Sequence, residues 1–159
     1  MLKGFLGLIF GFLLIFQAEA SVISFYIVET GLPESMGRNR HSMQWEDALM
    51  DAFFDAGYIV SNYPMLRLSS KPSEGILEAS GFNIFEARDA GIDYMLIAQI
   101  DYTSALLPPG GFSFYVFTTN LHEVIYEKHF TGKSSRSERE TSEDMKVIIR
   151  DLVIFITKL

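Results

Sequence analysis

Residues Glu86–Thr103, EARDAGIDYMLIAQIDYT, carry the clearest structural signal in this chain. They read as the end of a helix, a glycine that stops it, and a long strand. Alternate positions place one apolar row on a single face of this strand, namely Ile92, Tyr94, Leu96, Ala98, Ile100 and Tyr102. The opposite face is apolar at its centre, at Met95 and Ile97. A strand that is apolar on both faces belongs inside a sheet covered on both sides, so we predict the central strand of an α/β domain.

The flanking patterns predict the element order β-α-β-α-β-β-β-α. Asp89-Ala90-Gly91 repeats Asp55-Ala56-Gly57, and in both places a helix is expected to stop on the glycine and lead into a strand. The first of these helices is expected to be capped by Ser42. Gly81 lies inside the second predicted helix, Ile76–Ala90, and could divide it. Together these features predict one α/β (α+β-like) domain, with a mixed sheet of about five strands packed by about three helices.

The last third of the chain predicts a meander and a closing helix. Strands over 112–118 and 123–131 are separated by a tight turn, too short for a crossover helix. In the second strand, alternation puts Val124 and Tyr126 on one face and Ile125 on the other. The polar segment Gly132–Ser142 is expected to be a loop, and Thr141 with Asp144 has the spacing of a capping box for the final helix.

The first 20 residues have the layout of a secretory signal peptide. Lys3 supplies the positive charge, and Phe5–Phe16 is an apolar run of 12 residues, shorter than the about 20 needed to cross a bilayer. Ala18 and Ala20 occupy the minus-three and minus-one positions of a cleavage site before Ser21. We therefore expect residues 21–159 to form a periplasmic or secreted domain that is not stably inserted in the membrane. An uncleaved segment that acts as an anchor is the alternative.

Composition excludes several classes of function. The net charge of −7 disfavours binding to nucleic acid and to anionic lipid. The absence of cysteine excludes thiol catalysis, thiolate metal sites and disulfide bonds. The histidines, His41, His122 and His129, lack metal-ligand spacing, and no nucleotide-binding or hydrolase motif occurs. We therefore predict no catalytic residue, no cofactor and no metal. Gln99 and Asp101, near a strand end, are expected to be structural, although they could line a site.

Two surfaces are candidates for contact with a partner. The loop Gly31–His41 follows the first strand and precedes the first helix, where α/β domains commonly bind ligands. Its Arg38, Arg40 and His41 could hold an anion near the amino terminus of that helix. In the closing helix, Ile154 lies off the main apolar stripe, so this helix is either closely covered or forms a partner or homodimer surface.

The layout resembles the small envelope domains of the TolB amino-terminal, CsgG and LpoB type. Three segments carry the resemblance: FFDAGYIVS (53–61), DYMLIAQIDY (93–102) and FSFYVFTTNLHEVIYEKHFTG (112–132). The chain departs from the CsgG and LpoB members because it has no cysteine to carry a lipid. The resemblance implies a non-enzymatic periplasmic protein that binds other envelope proteins as an accessory module in envelope assembly or maintenance. The alternative is a small-ligand or anion-binding protein, or a minor hydrolase, that uses the loop Gly31–His41.

Overall fold

The computed structural model of the chain describes residues 20–70, 75–121, 123–132 and 138–159, so most of the predicted signal peptide and His122 lie outside the described part. No helix among the described residues is both long and apolar enough to cross a membrane. The elements, in chain order, are β1 (Val22–Thr30), α1 (Arg40–Asp55), β2 (Ile59–Asn62), β3 (Leu66–Leu68), α2 (Ile76–Ala79), α3 (Ile84–Asp89), β4 (Tyr94–Asp101), β5 (Gly111–Thr118), β6 (Glu123–Thr131) and α4 (Glu138–Ile156).

The strands form one mixed sheet in the order β2-β1-β4-β5-β6, and β3 pairs with β1 beyond the end of β2. The strands β2, β3 and β4 run parallel to β1, whereas β4, β5 and β6 form an antiparallel meander. The predicted fold class is therefore confirmed, and β4 is the central strand. Both repeated junctions behave as expected, since the helices before them stop at Gly57 (φ 89°) and Gly91 (φ 78°).

The sheet has one strand more than expected, and the second predicted helix is divided in two. Pro64 lacks a backbone N–H, so pairing with β1 stops after Tyr63, whose N–H donates to the Phe25 carbonyl at 2.9 Å, and resumes in β3. Gly81 takes a positive φ of 65° and ends α2. A new cap at Asn83 then starts α3, because its side chain accepts hydrogen bonds from the N–H groups of Phe85 and Glu86 in the first turn.

The long helices α1 and α4 cover one face of the sheet with a mainly apolar layer. The buried apolar residues of these helices are Trp45, Leu49 and Phe53 in α1 and Met145, Ile149, Leu152 and Ile156 in α4. Trp45 packs against two rings of β5, with centroid distances of 4.8 Å to Phe112 and 5.4 Å to Phe114. This face therefore holds the larger of the two cores.

The short helices α2 and α3 cover part of the opposite face. Two of their buried residues, Ile76 and Ile84, pack on Met95 and Ile97 of β4, the pair whose apolar character predicted a second covered face. A stacked pair, Tyr26 and Tyr63, extends this layer with ring centroids 4.8 Å apart.

Three local predictions were wrong. Asn39, not Ser42, caps α1, because its side chain accepts the His41 N–H at 2.9 Å. The closing helix begins at Glu138, so Thr141 lies inside it; residues 133–137 of the predicted loop lie outside the described part. In β6 a bulge places Val124 opposite Phe117 and Tyr126 opposite Val116, so Ile125 is the extra residue and packs on the larger core. Val124 consequently lies on the opposite face.

Candidate functional site

The loop after β1 lies at the carboxyl edge of the parallel strands and passes close to the end of β4. Gly31 has a positive φ of 79°, and a Cβ atom at this position would lie only 2.1 Å from the Tyr102 carbonyl oxygen. Only glycine fits both the backbone conformation and this close approach. The loop is anchored further because the Gly31 N–H donates to the Leu68 carbonyl at the end of β3 at 3.3 Å.

A buried ion pair clamps this loop to the sheet. The side chain of Glu29, the last residue but one of β1, is fully buried and accepts from the Arg67 Nε at 2.7 Å and from its Nη2. The same carboxylate accepts the backbone N–H of Asn39 at 3.3 Å, at the far end of the loop. The guanidinium of Arg67 also donates to three loop carbonyls, those of Pro33, Met36 and Gly37. The side chain of Arg67 therefore connects the sheet, through Glu29, to the loop, through three of its carbonyl groups.

A second polar pair lies behind the loop. The Tyr102 hydroxyl and the Ser42 hydroxyl are 2.8 Å apart and both residues are buried. Burial raises the pKa of Tyr102 well above its usual range, and the nearby Glu29 carboxylate adds to the effect. This explains why Ser42 does not act as the cap, since its hydroxyl is engaged with the end of β4.

The three predicted basic residues take different positions. Arg38 forms an ion pair with Glu46 of α1. Arg40 and His41 are the first two residues of α1, so the loop itself ends at Asn39. Only Arg38 of the three lines the cleft beside the loop, which has a volume of about 610 Å³.

The charges in this cleft are unevenly balanced. Its wall contains three carboxylates and two guanidinium groups, from Glu29, Glu34, Glu46, Arg38 and Arg67. Each guanidinium already pairs with one of these carboxylates. An anion entering the cleft would therefore compete with bound carboxylates and would meet a net negative wall.

The other predicted residue, Ile154, borders a separate groove between α1 and α4. Its side chain is exposed, and the groove has a volume of about 250 Å³. The groove is lined by Ala48, Ala52, Lys146, Ile149, Arg150, Val153 and Ile154. The structure thus keeps Ile154 apart from the loop residues, and the two predicted surfaces are distinct.

Sequence reasoning missed a polar row on the open half of the second sheet face. Ser113 of β5 bonds to the Nδ1 of His129 at 2.8 Å, and the Nε2 of His129 lies 3.0 Å from a carboxylate oxygen of Glu127. On the neighbouring strand, Asp101 accepts from Gln99 and from Thr30, each at 2.6 Å. The hairpin register that pairs Ser113 with His129 was the signal that could have found the contact.

The Ser-His-Glu order resembles a hydrolytic triad, but its surroundings do not suit that chemistry. Ser113 is buried within a strand that pairs on both sides. The backbone N–H groups of this strand therefore donate to the neighbouring strands and do not form an oxyanion hole. Glu127 and the imidazole of His129 are more than half exposed. We therefore interpret this row as structural, as predicted for Gln99 and Asp101.

Residues 32–109 match a family model described as "Uncharacterised protein". This range begins at the second residue of the loop after β1 and ends just before β5, so it includes α1 and all of the clamped loop except Gly31. No curated protein matches the chain in sequence.

Several solved structures are similar to this fold at low sequence identity. PelC from Paraburkholderia phytofirmans, solved as a dodecamer, is 12% identical over 84% of this chain and 87% of its own, with a TM-score of 0.49. The LpoB C-terminal domain from Escherichia coli is 13% identical over 80% of this chain and 93% of its own, with a TM-score of 0.42. TolB from Acinetobacter baumannii is 12% identical over 79% of this chain and 27% of its own, with a TM-score of 0.41. The resemblance inferred from the sequence is thus confirmed for TolB and LpoB, as a distant similarity of architecture and no more.

Proposed function

We propose that this chain is an exported, non-enzymatic binding module of the cell envelope, located in the periplasm or secreted. The surface proposed to contact another envelope protein is residues 31–41, the loop after β1 together with the first two residues of α1, and it includes Arg38, Arg40 and His41. Export is proposed from residues 1–20, whose charge, apolar run and Ala18-Glu19-Ala20 site are those of a signal peptide cut before Ser21.

The observation that carries the binding role is the clamp on the loop. Arg67 fixes three loop carbonyls and the buried Glu29 at once, so the loop is held in one conformation by the sheet below it. A loop that is ordered before binding loses less conformational entropy when a partner docks. Its outer residues are exposed from Pro33 to Arg38, so this ordered surface is accessible.

A binding role also fits the electrostatics of the cleft. The cationic groups of the cleft wall pair with neighbouring carboxylates, which supports a preformed polar surface over a pocket for a free anion. The alternative remains a small-ligand or anion-binding protein, or a minor hydrolase, that uses the same loop. The cleft volume of about 610 Å³ is its best support, since it is within the range of small-molecule sites.

The test is a crosslinking pull-down from the native envelope with the tagged full-length protein, and with the variant Arg38→Ala/Arg40→Ala. We expect one specific envelope protein to be recovered with the wild type and at least about tenfold less with the variant, because rim charges guide and orient docking. Amino-terminal sequencing of the tagged protein itself, isolated from the envelope, should give a sequence that begins at Ser21. A matched control, Arg88→Ala, removes an exposed arginine from α3 on the opposite face and should leave recovery unchanged.

An empty pull-down from a well-folded protein would contradict the binding proposal. The small-ligand alternative then predicts a ligand that raises the melting temperature of the wild type but not of Arg38→Ala/Arg40→Ala. Recovery of the protein with residues 1–20 intact and in the cytoplasmic fraction would contradict export.

A further inference from the structure

The outer surface of the α1–α4 layer combines an apolar groove with exposed apolar side chains. The groove floor is formed by Ala48 and Ala52 of α1 and by Ile149 and Val153 of α4. Four large apolar residues on the same two helices are exposed, namely Met43 (38%), Phe54 (71%), Val147 (47%) and Ile154 (44%). Because the inner sides of both helices pack on the sheet, these side chains project from the outer side of the layer.

The charges along this surface are separated by helix. On α1, Asp51 and Asp55 follow the groove residues Ala48 and Ala52 at a spacing of three, so they are their neighbours on the helix surface. On α4, Lys146 and Arg150 line the groove directly. One wall is therefore acidic and the other is basic.

These charges are largely uncompensated within one copy of the chain. Asp51, Asp55 and Lys146 have no ion-pair partner among the residues that the structure describes, and Arg150 reaches only its neighbour Asp151, at 3.8 Å. The groove lies between the two walls, and among the described residues no ion pair crosses it.

We infer that this surface binds a second copy of the same chain. In a two-fold dimer whose axis runs along the helices, α1 of each copy lies against α4 of its partner. The acidic wall of each copy then faces the basic wall of the other, and the exposed apolar residues of both are covered together. A two-fold axis across the helices would instead place like charges opposite each other.

The charge pattern favours a second copy over other occupants. An anionic lipid surface would be repelled by Asp51 and Asp55 and by the net charge of −7. A partner of uniform charge would be attracted by one helix and repelled by the other. This inference names a partner for the closing-helix surface that the sequence predicted, and it does not depend on the loop contact proposed above.

The experiment is a charge-reversal rescue followed by analytical ultracentrifugation of the purified protein. Asp51→Lys/Asp55→Lys and Lys146→Glu/Arg150→Glu should each weaken self-association by at least about tenfold, because each places like charges opposite each other in the dimer. An equimolar mixture of the two variants should form a heterodimer, since each reversed wall again meets its opposite. Rescue in the mixture distinguishes a direct contact from general damage to the fold.

A second pair of variants tests the apolar part of the surface. Ile154→Asp should weaken the dimer by at least about tenfold, because it places a charge in a covered apolar contact. Its matched control, Phe85→Asp on α3, changes another exposed apolar helix residue (58% exposed) on the opposite sheet face and should leave the dimer intact. Circular dichroism confirms that each variant is folded. If a reversed variant does not fold, Asp51→Asn/Asp55→Asn carries the same test with a smaller loss, about threefold.

Three outcomes would overturn the inference. The first is a wild type that stays monomeric at a protein concentration of about 100 μM, at which a specific dimer should be populated. The others are a dimer that persists in both charge-reversed variants, and folded variants that fail to associate when they are mixed. None of them depends on the envelope pull-down, so failure of the dimer and failure of the proposed envelope contact are separate results.

Discussion

The two faces of the sheet are covered by different kinds of layer. On one face, α1 and α4 are 16 and 19 residues long and bury an apolar stripe along the sheet. On the other face, α2 and α3 are 4 and 6 residues long and cover only part of the strands, and a polar row continues where they end. Long helices can bury enough surface to define the core, whereas short ones depend on the sheet for their own stability. We therefore expect the first face to carry most of the folding free energy.

The largest expected effect comes from removing a ring of the first face. Phe114 is buried and packs against Trp45 at 5.4 Å and Phe130 at 6.0 Å. Phe114→Ala should lower the free energy of unfolding by about 3–5 kcal/mol, because it leaves a cavity in a closely packed core. Urea unfolding followed by the fluorescence of the single Trp45 measures the change. A loss below about 1 kcal/mol would mean that this core collapses freely around the gap.

The corresponding ring of the second face should matter less. Phe82 is partly buried and makes edge contacts with Tyr26 at 5.9 Å and Tyr63 at 5.6 Å. Phe82→Ala should cost about 1–2 kcal/mol in the same urea experiment, since less apolar area is lost and solvent can reach the site. A cost equal to that of Phe114→Ala would show that the two faces contribute alike and would contradict the comparison.

The smallest effect concerns Tyr102, a polar group buried on the first face. Tyr102→Phe leaves the Ser42 hydroxyl without its partner and should cost about 1 kcal/mol at pH 7. Burial holds the pKa of Tyr102 above its usual 10.0, so the folded state keeps a proton that the unfolded state releases at high pH. The stability from this group is present below pH 10 and is lost as the pH rises above that value.

The difference in the free energy of unfolding between the wild type and Tyr102→Phe should therefore shrink above pH 10. Urea unfolding at pH 7, 9 and 10.5 measures this difference. Tyr26→Phe gives the matching comparison on the other face, because burial also raises the pKa of Tyr26. A difference that stays constant across this pH range would show that Tyr102 is accessible to water in the folded state.

Much of this architecture could be predicted because it rests on local patterns. The apolar positions of β4, the glycine stops at Gly57 and Gly91, and the spacing within α1 and α4 all reflect side chains only a few residues apart. Even the division of the second helix at Gly81 was visible in the sequence. The errors at Asn39 and Glu138 are of one or a few residues at helix starts, where several polar side chains can compete to cap the first turn.

The clamp at the candidate site could not be predicted in the same way. Glu29 and Arg67 are 38 residues apart, and they meet because Pro64 interrupts one strand and β3 then pairs with the end of β1. In the same manner, one extra residue in β6 moves Val124 to the opposite face, although strict alternation is the simplest reading of the sequence.

The amino-acid sequence contains the element types, their order and the two apolar faces of β4, because these follow from backbone propensities and the periods of helix and strand. It does not contain the pairing of Glu29 with Arg67, the contact of Ser113 with His129, or the facing charges of α1 and α4. Those arrangements depend on strand register and helix placement, which are set by packing over the whole domain. The ordered loop and the α1–α4 groove, the surfaces proposed for function, are consequences of that packing.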